Sequence, residues 1–231
     1  MARQAKKKGK LIVLEGSDGS GKATQTRLLA RRLRAEGYAV ERIDFPGYKR
    51  AFFGRMAAAY LRGEYGAADP RLAAVLYAGD RFEARDRMLK WLAEGKVVLC
   101  DRYVDSNKAH QAARLPADAD RKAFFRWVDS MEYGVFKLPR PDCVIFLHVP
   151  ARVAEDLIDR KGRRAYLRGR KRDAHEADGG HLDRASSVYR ELAKRRGRRN
   201  RLVECLESGT LLSKKTIHER VYKAVKRALE L

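Results

Sequence analysis

Leu11-Ile12-Val13-Leu14-Glu15-Gly16-Ser17-Asp18-Gly19-Ser20-Gly21-Lys22-Ala23-Thr24-Gln25 decides how this chain folds. A short apolar, β-prone run leads into Gly-x-x-x-x-Gly-Lys, from Gly16 to Lys22, and a helix-like stretch follows. Such a run suits a strand buried on both faces of a parallel sheet. Gly16, Gly19 and Gly21 allow a sharp turn that brings backbone N–H groups against an anion. A helix starting near Gly21 adds the positive end of its dipole. Strand, glycine loop and helix together define a phosphate-binding loop, which the glycine pattern alone does not. Its candidate contacts are Gly16, Ser17, Asp18, Gly19, Ser20, Gly21, Lys22, Ala23 and Thr24, with Lys22 expected to reach the terminal phosphates. One position departs from the pattern: the residue after Lys22 should carry a hydroxyl for Mg²⁺, and Ala23 has none. Thr24 comes one residue late and points elsewhere on the helix.

Working outward, β-like runs recur at Leu11–Glu15, Ala39–Asp44, Val97–Asp101, Cys143–Val149 and Leu202–Leu206. Helix-like stretches separate them. Leu28, Leu29 and Leu33 share a face that Gly37 closes as a C-cap. Leu72, Val75 and Leu76 open a second helix that runs toward Trp91 and Gly95. Phe124, Phe125, Val128 and Met131 mark a third. Thr216-x-x-Glu219 reads as a capping box for a last helix carrying Ile217, Val221, Val225 and Leu229. Alternating strands and helices imply a five-stranded parallel sheet flanked by helices, an α/β fold with right-handed crossovers and ligands at the carboxyl ends of the strands.

The 231 residues suit one domain, expected over 11–231 after a basic tail at 1–10, with an inserted lid at about 160–183. No apolar run approaches a membrane span. Cys100, Cys143 and Cys205 sit singly in apolar runs and read as buried thiols of a cytoplasmic protein. The net charge of +22 will attract polyanions, so nonspecific polyanion binding is expected, without a specific nucleic-acid partner. Eight Lys/Arg lie between Arg160 and Arg172, followed by Asp173, Glu176 and Asp178; a second basic cluster runs from Lys194 to Arg201. Beside a phosphate loop, the first cluster reads as a lid whose arginines close over transferring phosphates.

Four motifs in order resemble the thymidylate kinases of the P-loop nucleoside monophosphate kinase group: Glu15–Lys22, Phe45-Pro46-Gly47-Tyr48, Asp101-Arg102-Tyr103 with Ser106-Asn107 and His110-Gln111, and the basic lid ending at Asp173–Glu176. Tyr77–Arg81 and Pro139–Asp142 match family positions too. The resemblance implies the P-loop kinase fold, a homodimer, ATP and Mg²⁺, and transfer of the γ-phosphoryl of ATP to dTMP. It places Tyr77 on the thymine face, Arg81 and Asn107 at the base edge, and Arg102 on the monophosphate. Phe45, Pro46, Tyr48, Ser106, His110 and Gln111 complete the acceptor site. Lys22, Arg102, Arg163, Arg164 and Arg168 are the catalytic candidates. Without a hydroxyl at Ala23, the metal falls to phosphate oxygens, water and the acids Asp18, Asp101, Asp173 and Glu176. Gly47 stands where many members carry Arg, and His110 where many carry Tyr or Phe near the sugar. These two positions leave open a kinase of another or broader deoxynucleotide acceptor, such as dUMP or dCMP. A P-loop nucleic-acid-binding protein is the alternative from another class. Ser208-Gly209-Thr210, after the last strand, is a candidate lining of the adenine pocket.

Overall fold

The computed structural model describes residues 8–116, 118–159, 180–195 and 199–229. Five parallel strands form one sheet: β1 (Lys10–Glu15), β2 (Val40–Asp44), β3 (Val97–Asp101), β4 (Cys143–His148) and β5 (Asn200–Glu204). Their spatial order is β2-β3-β1-β4-β5, so the glycine loop leaves the central strand between two neighbours on either side. Each expected strand is present within two residues at either end. β1 takes in Lys10, which the sequence assigned to the tail.

Side chains alternate across β1. Leu11 and Val13 join one core with Cys100, Val104, Phe124 and Phe146; Ile12 and Leu14 join the other with Leu29, Leu33, Ile145 and Val221. This period of two makes β1 apolar throughout and sandwiches it between helix layers. Helices α1 (Lys22–Ala35) and α8 (Lys214–Leu229) cover one face. The other is covered by α3 (Pro70–Ala93), α4 (Val104–Ala112), α5 (Asp118–Asp129) and α7 (His181–Arg195). Leu29 and Leu33 are fully buried, each contributing about 1.5–3 kcal/mol. A short α2 (Phe52–Leu61) packs on α3, and α6 (Ala151–Asp159) follows β4.

Several local expectations change. The last helix is capped by Ser213, whose Oγ accepts from the Thr216 N–H at 3.0 Å. Thr216 is therefore the third residue of the helix and not its cap, because Ser213 is the residue whose side chain reaches a free N–H of the first turn. Met131 lies beyond α5, in a π-helical turn over Ser130–Val135. Ser208 and Gly209 both have positive φ, at 49° and 77°, and turn a two-stranded hairpin of Leu206–Glu207 and Thr210–Leu211. Helix α7 starts at His181, inside the stretch assigned to the lid. The lid candidates Arg163, Arg164, Arg168, Asp173 and Glu176 lie outside the described residues. All three cysteines are buried and unbridged, and among the described residues no helix is long and apolar enough to cross a membrane.

Candidate active site

The glycine loop needs glycine for steric reasons. Gly16 has φ 142°, and a Cβ there would lie 2.5 Å from the Leu147 carbonyl oxygen. Gly19 has φ 81°, and its Cβ would lie 2.4 Å from that of Ala154. Lys22 folds back over the loop, donating to the Gly16 and Ser17 carbonyls at 2.9 and 2.8 Å. Burial, then the nearby Arg102, lowers its ammonium from 10.5 to about 8. A bound anion would further favour the charged form and give Lys22 a stronger acceptor than those carbonyls.

Arg102 follows the end of β3 and has φ 67°, a left-handed conformation that L-residues with a side chain rarely hold. Its guanidinium bridges the loop and helix α4. Nη2 donates to Asp18 Oδ1 at 2.6 Å, and Nη1 meets Gly16 O, Ser106 Oγ and Tyr189 Oη at 3.2–3.3 Å. Nη1 also lies 3.3 Å from His110 Nε2, so that ring nitrogen accepts. His110 Nδ1 then carries the proton toward His181 Nε2, 3.2 Å away, and the two rings stack at 22°. Burial works against the charged form of Asp18, but Arg102 and Lys22 outweigh it and hold its carboxyl well below the usual range.

Helix α4 is positioned by Glu15 at the end of β1. Oε1 accepts from the Tyr103 and Ser106 N–H groups at 2.8 and 3.1 Å, and Oε2 from Ser106 Oγ at 2.5 Å. A strand-end carboxylate thus caps the helix that carries the site, satisfying donors no helical carbonyl reaches. Burial, then the negative charge of Asp105, pushes Glu15 from 4.5 up to about 7. The folded chain therefore holds a proton that the unfolded chain releases between those values. Stability from this group is full below pH 4.5 and falls as pH rises to about 7. At 1.4 kcal/mol per pH unit the loss is about 3 kcal/mol. Glu15→Gln should flatten that part of the profile in urea unfolding at pH 5 and pH 7.5. An unchanged slope would assign it to other groups.

Asn107, His110 and Gln111 stand at i, i+3 and i+4 on α4, so they share one face. Opposite, Tyr77 and Arg81 stand one turn apart on α3. Between them lies a cleft, lined also by Phe45, Pro46, Tyr48, Arg102 and Ser106. All ten residues that the sequence assigned to the acceptor site meet there. Asp18 and Leu61 join them. Arg81 is held by Glu132 through two bonds of 2.5 and 2.6 Å, both side chains buried. Burial opposes its charge and Glu132 outweighs that, raising its pKa. Asn107 Nδ2 donates to Ala74 O and Glu132 Oε1 at 3.0 and 2.9 Å. Two acceptors therefore fix the amide orientation. Its Oδ1 and the Gln111 Nε2 are buried and without hydrogen-bond partners among the described residues. Gln111 Oε1 is taken by Arg114 at 3.3 Å. Two residues that line the cleft thus each carry one buried polar atom, an acceptor and a donor, without a partner among the described residues.

A second cleft adjoins the first and runs along the glycine loop. Asp18, Gly19, Gly21, Lys22, Ala23, Asp44, Asp101 and Arg102 line it, with Asp44 and Asp101 paired in register at the ends of β2 and β3. Ala23 is exposed there, on the side where a hydroxyl would have faced the cleft. Asp18 is committed to Arg102 and Asp101 sits beside Lys22, so the two expected metal carboxylates stand in different surroundings. Burial raises the Asp101 carboxyl. Among the described residues no three or more His, Cys, Asp or Glu side chains gather into a metal cage. Oxygen donors of this kind fit a hard cation that keeps its water and phosphate ligands.

Sequence reasoning missed Glu132, Glu15 as a cap, Tyr189, His181 and Asp80. Asp80 accepts from the Gly47 N–H at 2.8 Å and so holds the Phe45–Tyr48 loop against the cleft. Each of these residues pairs with a group distant in sequence, Glu15 with Tyr103 and Ser106, Glu132 with Arg81, Tyr189 with Arg102, His181 with His110 and Asp80 with Gly47, so no local pattern announces the contact.

A glycine loop after the central strand and an arginine bridging it to a polar cleft between α3 and α4 mark a P-loop kinase that acts on a nucleoside monophosphate. The thymidylate kinase family model matches residues 14–203, and the chain belongs to that family. A Mycobacterium tuberculosis thymidylate kinase is 39% identical over 186 residues, covering 79% of this chain and 85% of its own. One from Pelotomaculum thermopropionicum is 33% identical over 224 residues, covering 96% and 95%. A solved thymidylate kinase structure from Candida albicans superposes with a TM-score of 0.74 over 95% of this chain and 92% of that one; at 21% identity it supports the fold.

Proposed function

We propose that this chain transfers the γ-phosphoryl group of ATP to the phosphate of dTMP, giving dTDP and ADP. The observation that carries the acceptor is the pair of unused buried groups, Asn107 Oδ1 and Gln111 Nε2, on two residues that line a cleft continuous with Arg102 and the glycine loop. Thymine offers a matching edge: an N3–H donor flanked by carbonyl acceptors. Tyr77, edge-on to Tyr60, offers a flat face to the ring. The planar fork of Arg102 suits the acceptor phosphate.

The acceptor is already an anion, so the chain needs no strong base. Its work is to align two polyanions and offset their charge. The loop amides and Lys22 hold the donor phosphates, Arg102 holds the acceptor, and Arg163, Arg164 and Arg168 are the lid candidates for the transferring group. Asp101, with Asp18 once Arg102 turns to phosphate, would hold Mg²⁺, which supplies charge neutralisation between the phosphates when bound. Turnover of dTMP, dUMP, dCMP and AMP, side by side with Mg-ATP, tests the reading. We expect dTMP to exceed each of the others at least tenfold in kcat/KM. A clear preference for another acceptor would replace dTMP in this role.

The homodimer rests on the outer side of α3. Leu72, Val75, Phe82 and Leu89 are exposed at spacings of three and seven, with Phe52 and Val135 nearby. Such a stripe on a long helix suits a second copy of the same helix. Sedimentation at micromolar concentration should give a dimer, and Phe82→Asp a monomer. A wild-type monomer removes the proposal.

A further inference from the structure

We propose that the outer face of α1 and α8 is a docking surface for the sugar-phosphate backbone of nucleic acid, separate from the kinase clefts. The two helices carry eleven Lys/Arg, five on α1 and six on α8, against the single acid Glu219. They cover the sheet face opposite α3 and α4, where the acceptor cleft lies. The kinase reaction uses none of these cations except Lys22.

The face is organised. Glu219 pairs with Arg32 at 2.7 Å, and Glu36, just after α1, with Lys226 at 3.4 Å. Glu207, in the hairpin, pairs with Arg220 at 3.1 Å, so three of the cations, Arg32, Lys226 and Arg220, offset these acids. Arg32 lies 3.4 Å over the Tyr222 ring and Lys226 5.7 Å from that of Tyr38, so the pairs also bind the helices to each other. Arg27 and Arg31 remain exposed one turn apart on α1, as do Lys223 and Arg227 on α8, with Lys215 two turns before Lys223. At 1.5 Å rise per residue, residues four apart advance about 6 Å. On α8, Lys215 to Arg227 therefore form a row of positive charge about 18 Å long, the length of about five phosphates of one strand, and on α1 Arg27 and Arg31 add a pair about 6 Å apart. The contacts are to backbone and carry no sequence information.

The test is fluorescence anisotropy with labelled 20-nucleotide single-stranded RNA, single-stranded DNA and duplex DNA between 50 and 300 mM salt. Five backbone contacts predict a log K against log salt slope of about −3.5 for single strands. Arg27→Gln, Arg31→Gln, Lys223→Gln and Arg227→Gln together should make the slope shallower by about 3, with dTMP turnover kept within twofold as the control of folding. Saturating ATP and dTMP should leave the binding unchanged. A second variant, Lys194→Gln with Arg195→Gln, Arg199→Gln and Arg201→Gln, should keep the wild-type slope. The three probes distinguish RNA from DNA. The proposal is overturned by a wild-type slope shallower than −1, by loss of binding only in the second variant, or by displacement with ATP.

Discussion

Replacing Arg102 by Ala should lower kcat/KM for dTMP by about three orders of magnitude, the scale of an arginine that neutralises a reacting phosphate. No other described cation reaches both clefts, since Arg102 lines each of them. The loss should appear in kcat and in KM for dTMP, and far less in KM for ATP, whose phosphates are held by the loop amides and Lys22. Arg102→Lys keeps the charge but loses the fork that reaches Asp18 with one nitrogen and Ser106, Tyr189 and Gly16 with the other. It should recover less than tenfold of the loss. Steady-state kinetics over both substrates read these values, with thermal unfolding alongside because Asp18 loses its ion pair. A tenfold or smaller drop in Arg102→Ala would mean that the bond to Asp18, and not phosphate binding, is the reason for the residue.

The same residue shows what local sequence reveals. Asp101-Arg102-Tyr103 closes an apolar run, which put Arg102 at the carboxyl end of a parallel strand where ligands sit; its assignment to the acceptor phosphate came from the resemblance to thymidylate kinases. Strands β1, β3 and β4 were legible because they are buried on both faces and therefore almost wholly apolar; β2 and β5, at the sheet edges, bury only their first and fourth residues and carry charges between them. Helix α4 was not legible as a helix. Val104-Asp-Ser-Asn-Lys-Ala-His-Gln-Ala112 reads as polar, yet all nine residues are buried. Their polar groups are satisfied from elsewhere: Ser106 by Glu15, Asn107 by Glu132, and Lys108 by Asp105 and Asp129 at 3.2 and 2.7 Å. Periodicity reports which side faces water, so a helix surrounded by partners gives no period. Glu132 was invisible for the related reason that it lies 51 residues from Arg81, in a π-helical turn with no motif of its own. The expected metal carboxylates illustrate a third case. Asp18 and Asp101 both line the loop cleft, but Asp18 is occupied by an ion pair with Arg102, 84 residues away, which no residue pattern announces.

Glu132 supports the second large effect. Glu132→Ala leaves the buried Arg81 guanidinium without its partner, and breaking a buried pair in this way costs about 3–5 kcal/mol. Urea unfolding should show that loss. Arg81→Met combined with Glu132→Leu removes both charges and fills much of the volume, so stability should return to within about 1 kcal/mol of wild type. Recognition should not return with it. Glu132 Oε1 is one of the two acceptors that hold the Asn107 amide nitrogen and so leave its oxygen as the atom without a partner among the described residues. Without Glu132 the amide has one acceptor left, Ala74 O, and rotation that presents its nitrogen to the base becomes cheaper. Thymine offers a donor at N3 and cytosine an acceptor, so the fixed oxygen favours dTMP and the freed amide tolerates dCMP. The double variant should therefore fold like the wild type while its dTMP-over-dCMP ratio in kcat/KM falls at least tenfold. Arg81→Met alone should destabilise as Glu132→Ala does, because it strands the other charge. If the stable double variant kept the full ratio, Asn107 would be held without Glu132, and the buried pair would serve the fold alone.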